Sequence, residues 1–507
     1  MILVVKIDKM KILTCIHYKL FYRVIMSLYL WLFMGISINA SSMTISETDQ
    51  NRVILKKNLV NVNGIRKNLL TQDMFLSEIS DNRDPNINIV FYIQQDFVLA
   101  EDITIPVNSV LDFDGGSING SYTLKGQYTC IRGNVALSPD VKFDGTFNNI
   151  PTVYVDWFIR DYKANVDCSE GIRKAITFAK LARTSLSFGG LVSTNAAKYF
   201  CTSGNFDISG LVVNGNGSWI VGIGDYNMFT VNGDCHLSDL HINKYPYQDG
   251  SSNVDYNNIA ITCKNNHHME FDNISIDGFH FGFILEKAWN VVIIGCNTYR
   301  CSVGVGSRGL SVNNNICNCR LEGSVCGIEV LGISEGWMIS DNLIIGATGI
   351  NLTNHANTII KGNIIDFCKN YAIRMNQNCP GVLIDNNYMA VEGGGLAIID
   401  INSQDIKNNE DQMISITNNI MRGYGLIQGI AGVGISKGKY KHIKICGNHI
   451  KSGDLPYGVS IGKDVRIGTL YFRDNVVEGK DNNQTFSIKG IVSNMFVSDN
   501  IKTGLKP

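Results

Sequence analysis

The chain has 507 residues, long enough for several ordinary domains, yet 50 glycines against 8 prolines fit a turn-dense β protein. With 44 Lys plus Arg against 45 Asp plus Glu the net charge is −1, which excludes a strongly basic face for nucleic acid. Fourteen cysteines are scattered along the chain and do not cluster as in a small disulfide-stapled scaffold.

In residues 1–42, Lys9, Lys11, Lys19 and Arg23 precede an apolar run from Val24 to Ile38, followed by small residues at Ala40-Ser41-Ser42. The pattern predicts a signal peptide or an uncleaved N-terminal anchor, which is the one route by which the chain would meet a membrane. Residues 43–86 are polar without a sustained period and predict a linker or loosely docked arm. From 87 to 155 the chain alternates, as in Ile103-Thr104-Ile105 and Val110-Leu111-Asp112-Phe113, and predicts an N-terminal β module. Residues 156–507 open on Asp156-Trp157-Phe158 and a helix near 169–182, whose Ile172, Ala175, Ile176 and Ala179 share one face. Its place predicts a cap over the end of the repeats that follow.

Those repeats are marked by an asparagine that returns ten times, at Asn273, Asn297, Asn315, Asn342, Asn363, Asn387, Asn419, Asn448, Asn475 and Asn500. The mean spacing is about 25 residues, which lies in the solenoid range. An apolar residue stands three places upstream of nine of them: Ile294, Val312, Ile339, Ile360, Ile384, Ile416, Ile445, Phe472 and Val497. Another alternates with it five places upstream, so each phrase reads as a short strand ending at a turn. A second strand per repeat begins with glycine, as in Gly282-Phe283-Ile284-Leu285, Gly327-Ile328-Glu329-Val330 and Gly349-Ile350-Asn351-Leu352, with Ala372-Ile373-Arg374-Met375 a near match. Strands this short bury nothing alone; stacked, their inward side chains make one core, and the asparagines can bond to each other from coil to coil. Cys263, Cys296, Cys317 and Cys446 lie in or beside these strands and are expected to be small side chains of the stack, not disulfides.

The pattern resembles the pectin lyase-like superfamily, whose fold is a single-stranded right-handed parallel β-helix. Trp157-Phe158 with the following helix, then Phe188-Gly189-Gly190 and Tyr199, is similar to the step that leads into the first coils in that superfamily, although Ile159-Arg160 replaces its Gly-Ala and the Asp-rich segment is reduced to Asp161 and Asp167. The resemblance runs from about Ile87 to the end. It implies an all-β solenoid that is secreted, periplasmic or on the cell surface, with a polysaccharide or surface glycan as partner and the substrate groove on one sheet. The polygalacturonase motifs Asp-Asp and Gly-His-Gly are missing, and the aligned aspartates of calcium-dependent pectate lyases are not evident, so neither activity is carried over and calcium is not supported.

If the glycine-led strands form the groove, Glu329, Asn351 and Arg374 stand in one outward row. Glu286, Lys287, Trp289, Arg308, His355, Asp400 and Asp405 follow in the adjoining loops. Glu329, His355 and Arg374 are the candidate catalytic set: a base to remove the proton next to a uronate carboxylate and a cation to neutralise that carboxylate. Glu286, Lys287, Trp289, Arg308, Asn351 and Asp400 are the candidate binding residues. A hydrolase would instead need two carboxyls at ~5–9.5 Å, with Glu286 and Glu329 as the pair. No Cys/His set has zinc spacing, so no metal and no cofactor are expected. A lyase or glycosidase acting on polysaccharide is the leading expectation; a non-catalytic glycan-binding or adhesion module, or a tailspike-like trimer, are the alternatives. The sequence leaves the oligomeric state open.

Overall fold

Every named strand pair is parallel, and each strand bonds to its counterpart one coil further along the chain, as a solenoid requires. The computed structural model describes residues 53–56, 69–74, 88–159, 161, 166–189, 198–245, 258–392, 397–403, 412–424, 431–451, 456–479 and 486–504. They form a parallel β-solenoid of about 15 turns, 67% strand. Thirty of the strands belong to one continuous sheet that winds from Thr152 to Gly504. The signal peptide or anchor predicted in 1–42 lies outside the described residues, as does Asp405. The arm predicted at 43–86 is not wholly loose, because Val53–Lys56 pairs with Asn88–Phe91 and Leu70 is buried.

Six of the nine apolar residues expected to face inward do so; Ile294 and Val312 are half-buried and Val497 is exposed, the first two because the asparagines that mark them are not at the ladder site of their coils. Ile339, Ile360, Ile384, Ile416, Ile445 and Phe472 stack in register and are buried. A second column on the glycine-led strands runs Phe283, Val305, Ile328, Ile350, Ile373, Ile399, Val433 and Val459. Each such side chain contributes on the order of 1.5–3 kcal/mol by leaving water. The core is continuous from Leu70 to Val477, so the expected boundary near 155 separates two segments that share one interior.

From Asn342 onward the asparagine ladder forms as expected. Asn363 Nδ2 donates to Asn387 Oδ1 (2.9 Å) and to Ile339 O (2.9 Å), while its backbone N–H donates to the same Oδ1 (2.9 Å). The pattern repeats from Asn342 to Asn500. The residue before each ladder place is left-handed: Asp341, Gly362, Asn386, Asn418, Gly447, Asp474 and Asp499 all have φ between 54° and 70°. Only glycine and short polar residues enter that region at low cost, which explains the composition of the corner.

The first three asparagines are out of place. Asn273 is itself the left-handed residue (φ 53°), and Ile274 fills the ladder site. Asn297 and Asn315 begin the strands Asn297–Arg308 and Asn315–Cys317. The ladder sites of those coils are held by Cys296 and Cys319, whose backbone bonds repeat those of the asparagines. Cys319 Sγ points at Cys317 O (3.1 Å) and Ile293 O (3.5 Å), the two carbonyls that the amide of Asn363 reaches in its own coil as Lys361 O and Ile339 O. A thiol is a weak donor of similar reach, so it fits a site read as asparagine. The described cysteines are free thiols; Cys263 and Cys296 are buried in the stack as expected, whereas Cys317 and Cys446 are half-buried on the outward side of their strands.

The predicted helix is α1, Ser169–Ala182, with Ile172, Ala175, Ile176 and Ala179 buried. Phe178 packs on Phe143 (4.5 Å) and Phe147 (5.0 Å), joining the N-terminal module to the first coils. Asp167 accepts hydrogen bonds from the N–H (3.0 Å) and hydroxyl (2.6 Å) of Ser169 and holds the start of the helix.

Asn387 has all its polar atoms bonded and is 2% exposed. Asn387→Ala strands the partners on both neighbouring coils and is expected to lower stability by about 3 kcal/mol, read as a shift in the urea midpoint. Asn297→Ala, outside the ladder, is expected to cost less than about 1 kcal/mol.

Candidate functional site

The outward row predicted from the glycine-led strands is present, and it is one residue longer. Glu329 pairs in register with Asn351, Asn351 with Arg374, and Arg374 with Asp400. Successive members are ~4.8 Å apart along the axis. The glycines at the head of these strands are required by close approach: a Cβ on Gly349 would sit 2.3 Å from Ile365 Cγ2 and 2.6 Å from Ala372 O. A second outward column, two residues further along each strand, runs Lys264, Glu286, Arg308, Leu331, Thr353, Asn376 and Asn402.

The row is a connected polar network. Asn376 Nδ2 donates to Asn351 Oδ1 (3.0 Å), and the Asn351 side chain bonds to Glu329. Burial raises the Glu329 carboxyl above its ordinary value, against the Asn351 hydrogen bond and the Arg308 charge, which pull it down. Burial likewise raises Asp400, opposed by Arg374, whose Nε lies 3.6 Å from Asp400 Oδ2. The Arg374 guanidinium also rests over the Tyr371 ring at 5.0 Å. At the N-terminal end of the row the outer face becomes apolar: Phe281, Ile284, Val303 and Cys326 form a buried cluster of their own, with the Arg308 guanidinium 5.2 Å from the Phe281 centroid.

The remaining candidates divide. Glu286 and Arg308 stand in the second column, within reach of the row, and Glu286 is paired to Lys264 at 3.7 Å. Asp400, expected in a loop, stands in the strand Ile399–Asn402; Ile399-Asp400-Ile401 repeats Ile373-Arg374-Met375, and that alternation was the available signal. Tyr371, beneath Arg374, carried no such signal. Lys287 occupies an exposed left-handed corner (φ 55°) outside the row. Trp289 is half-buried beyond that corner and donates its indole N–H to Leu310 O (3.1 Å), so it lies past the row and not over it.

His355 is not brought to Glu329 and Arg374. It is 0% exposed, turned inward beside Trp337 (centroids 5.5 Å, edge-on), and neither ring nitrogen has a hydrogen-bond partner. The left-handed Asn354 breaks the alternation on which the outward assignment rested. Burial pushes the His355 imidazole down to about 3, so it is neutral at physiological pH. The alternative hydrolase pair is separated by an intervening coil that carries Arg308. Glu286 and Glu329 are two coils apart, roughly 10 Å along the axis alone, and Glu329 and Asp400 are three coils apart, about 14 Å.

Among the described residues, no group of three or more His, Cys, Asp or Glu side chains is placed to hold a metal ion, and no helix is long and apolar enough to cross a membrane. The profile of a family described as periplasmic copper-binding protein (NosD) matches residues 227–393. No curated protein matches the chain. Among solved structures, the A-module of the mannuronan C-5 epimerase AlgE6 of Azotobacter vinelandii is similar at 12% identity, over 70% of this chain and 100% of that one, with a TM-score of 0.49. The catalytic unit of a GH87 α-1,3-glucanase from Streptomyces thermodiastaticus is similar at 12% identity over 69% of each chain, TM-score 0.44. The Dettilon tailspike protein is similar at 12% identity over 68% of each chain, TM-score 0.41. At this identity the likeness is one of fold alone.

A buried neutral histidine makes the fold acid-sensitive in a defined window. The unfolded chain takes up a proton at His355 below pH 6.5 while the folded chain resists until about 3, so stability present above 6.5 is lost as pH falls through that interval. The His355→Leu variant is expected to lose less stability than the parent over the same range in urea titrations, and the His355 ring resonances should stay flat from neutral pH to about 4.

Proposed function

We propose that the protein engages an acidic polysaccharide along the row Glu329, Asn351, Arg374 and Asp400, and that the chemistry this row fits best is proton abstraction next to a uronate carboxylate. The observation that carries the reading is the stacking in register of a burial-raised carboxyl, an amide and a guanidinium on one outward face. Arg374 would neutralise the substrate carboxylate, which acidifies the neighbouring C–H. Glu329, with its affinity for a proton raised by burial, would take that proton, the electron pair left on carbon would form a double bond and expel the glycosidic oxygen on the next carbon, which leaves as a hydroxyl protonated from water, and Asn351 fixes the orientation of the carboxylate. Arg308 adds a second cation at the apolar end of the groove, and Tyr371 and Phe281 give ring faces beneath the two guanidinium groups. A secreted, periplasmic or surface location fits an extracellular glycan and the positive-then-apolar start of the chain.

One observation favours a second reading, a non-catalytic glycan-binding module. Arg374 already pairs with Asp400, and Glu329 already bonds Asn351, as in any charge and amide ladder on an exposed sheet. Turnover separates the two. Purified protein is to be incubated with polygalacturonate, alginate and neutral glycans while ultraviolet absorbance of unsaturated ends and reducing sugar are followed. The catalytic reading expects absorbance to rise with an acidic polymer and to fall by roughly a hundredfold or more in Arg374→Ala and in Glu329→Gln. Retardation of an acidic polymer on native gels without either signal would replace it with the binding module.

A further inference from the structure

A second recess lies elsewhere, on the ladder corner of the N-terminal coils. It has a volume of 540 Å³, within the range of sites that take small ligands, and is lined by Asn216, Asp239, His241, Asn273, Ser275 and Asn297. Its floor is an outward column in register: Lys198, Trp219, His241, Ser275, Asn297. The Lys198 ammonium lies 5.7 Å over the Trp219 ring, and the Trp219 and His241 rings are stacked at 4.5 Å with 15° between their planes. The rings therefore stack along the solenoid axis, and the stack stops abruptly at Ser275, whose small side chain follows His241. That step leaves the second face of the imidazole open toward the recess.

The wall of the recess is the left-handed corner itself. Asn216, Asp239 and Asn273, with φ of 48°, 53° and 53°, hold their short polar side chains beside the step. Asn273 Nδ2 donates to Asp239 Oδ1 (2.7 Å), which leaves the amide oxygen of Asn273 and the other oxygen of Asp239 without a partner in that bond. Further along the chain the corner positions face exposed apolar residues such as Ile364 and Ile420; here they face Ser275 and Asn297.

We propose that this recess binds a neutral sugar, with the ring seated on His241 over Ser275 and its vicinal hydroxyls bonded to Asp239, Asn273 and Asn297. A pyranose has an apolar C–H face that packs on a flat ring and an edge of paired hydroxyls that suits adjacent carboxylate and amide groups. The charge balance weighs against an acidic sugar: neither Lys nor Arg lines the recess, and Arg320, next in the column after Asn297 and 5.5 Å over the ring of the lining Tyr299, is already paired with Glu322. Asp239 is the one carboxyl among the lining side chains, and burial lowers the proton affinity of His241, which favours the neutral ring. The Lys198 charge sits beyond Trp219, on the far side of the stack. This recess and the acidic-polymer row are thus separate surfaces with different charge preference, and neither depends on the other.

Calorimetric titration of the full chain with maltotriose, cellotriose, mannotriose and galactotriose, with trigalacturonate as the acidic counter-probe, tests the assignment. At least one neutral trisaccharide is expected to bind, and Ser275→Leu, which fills the step on an outward face, should weaken it by roughly tenfold or more. Asp239→Asn keeps a residue suited to the left-handed corner and removes the carboxylate, and should weaken the same ligand even if Ser275→Leu fails to fold. Arg374→Ala should leave it unchanged. Absence of binding by every neutral trisaccharide, unchanged binding in Asp239→Asn, or preference for trigalacturonate would each overturn the proposal. Loss of neutral-sugar binding in Arg374→Ala would overturn it too, by moving that ligand to the row.

Discussion

A buried amide must have its hydrogen bonds, and in this protein that requirement fixes the geometry of each coil. The ladder asparagine donates to its own coil, to the coil before it, and accepts from both the side chain and the backbone of its predecessor. A shift of the chain by one residue would leave several of those groups unpaired in the interior, at a cost of about 1–3 kcal/mol each. The aliphatic columns alone exclude a one-residue slip but not a slip of two, which keeps every side chain on its own face. The left-handed residue before each asparagine completes the device by turning the chain sharply enough to place the amide inside.

The same constraint explains why the outer face can be irregular. Coils differ in length by many residues, and the excess is carried in the connections while the corner and the two inward columns stay fixed. Outward positions are then free to vary from coil to coil at constant spacing. On the glycine-led strands this freedom yields an apolar cluster that passes into Glu329, Asn351, Arg374 and Asp400. On the ladder corner it yields a recess where Ser275 follows a stack of rings. Neither surface contributes much to the fold, since exposed pairs of this kind are individually weak. Both sit on strands rather than loops, which holds their side chains at a fixed pitch.

Much of this was legible in the residues because the repeat itself is an alignment of the chain with itself. Comparing coil with coil showed that Glu329, Asn351 and Arg374 share an outward place, and the register agrees. The reading failed where a coil departed from its neighbours. Cys296 and Cys319 serve as ladder residues without resembling asparagine, and the asparagines nearby at Asn297 and Asn315 carry the repeat signal without occupying the ladder site. His355 follows a left-handed residue that inverts the alternation, and a histidine that reads as a polar loop residue is wholly inside. Asp400 was placed after its strand because Ile398 replaces the glycine that marked the others.

The sequence by itself determined the architecture: a period of about 25 residues, apolar alternation and a recurring asparagine suffice because hydrophobic burial and amide pairing act on every coil alike. It also determined which strand face carries charge, since side chains alternate with a period of two. Only the tertiary structure decided which residues meet. Depth of burial, the neutral state of His355, the pairing of Arg374 with Asp400 and the step beside His241 all depend on contacts between coils 20 to 35 residues apart in the chain. Those contacts depend on left-handed turns and on the choice between a thiol and an amide, details that leave the average repeat unchanged while moving a side chain from one face of the wall to the other.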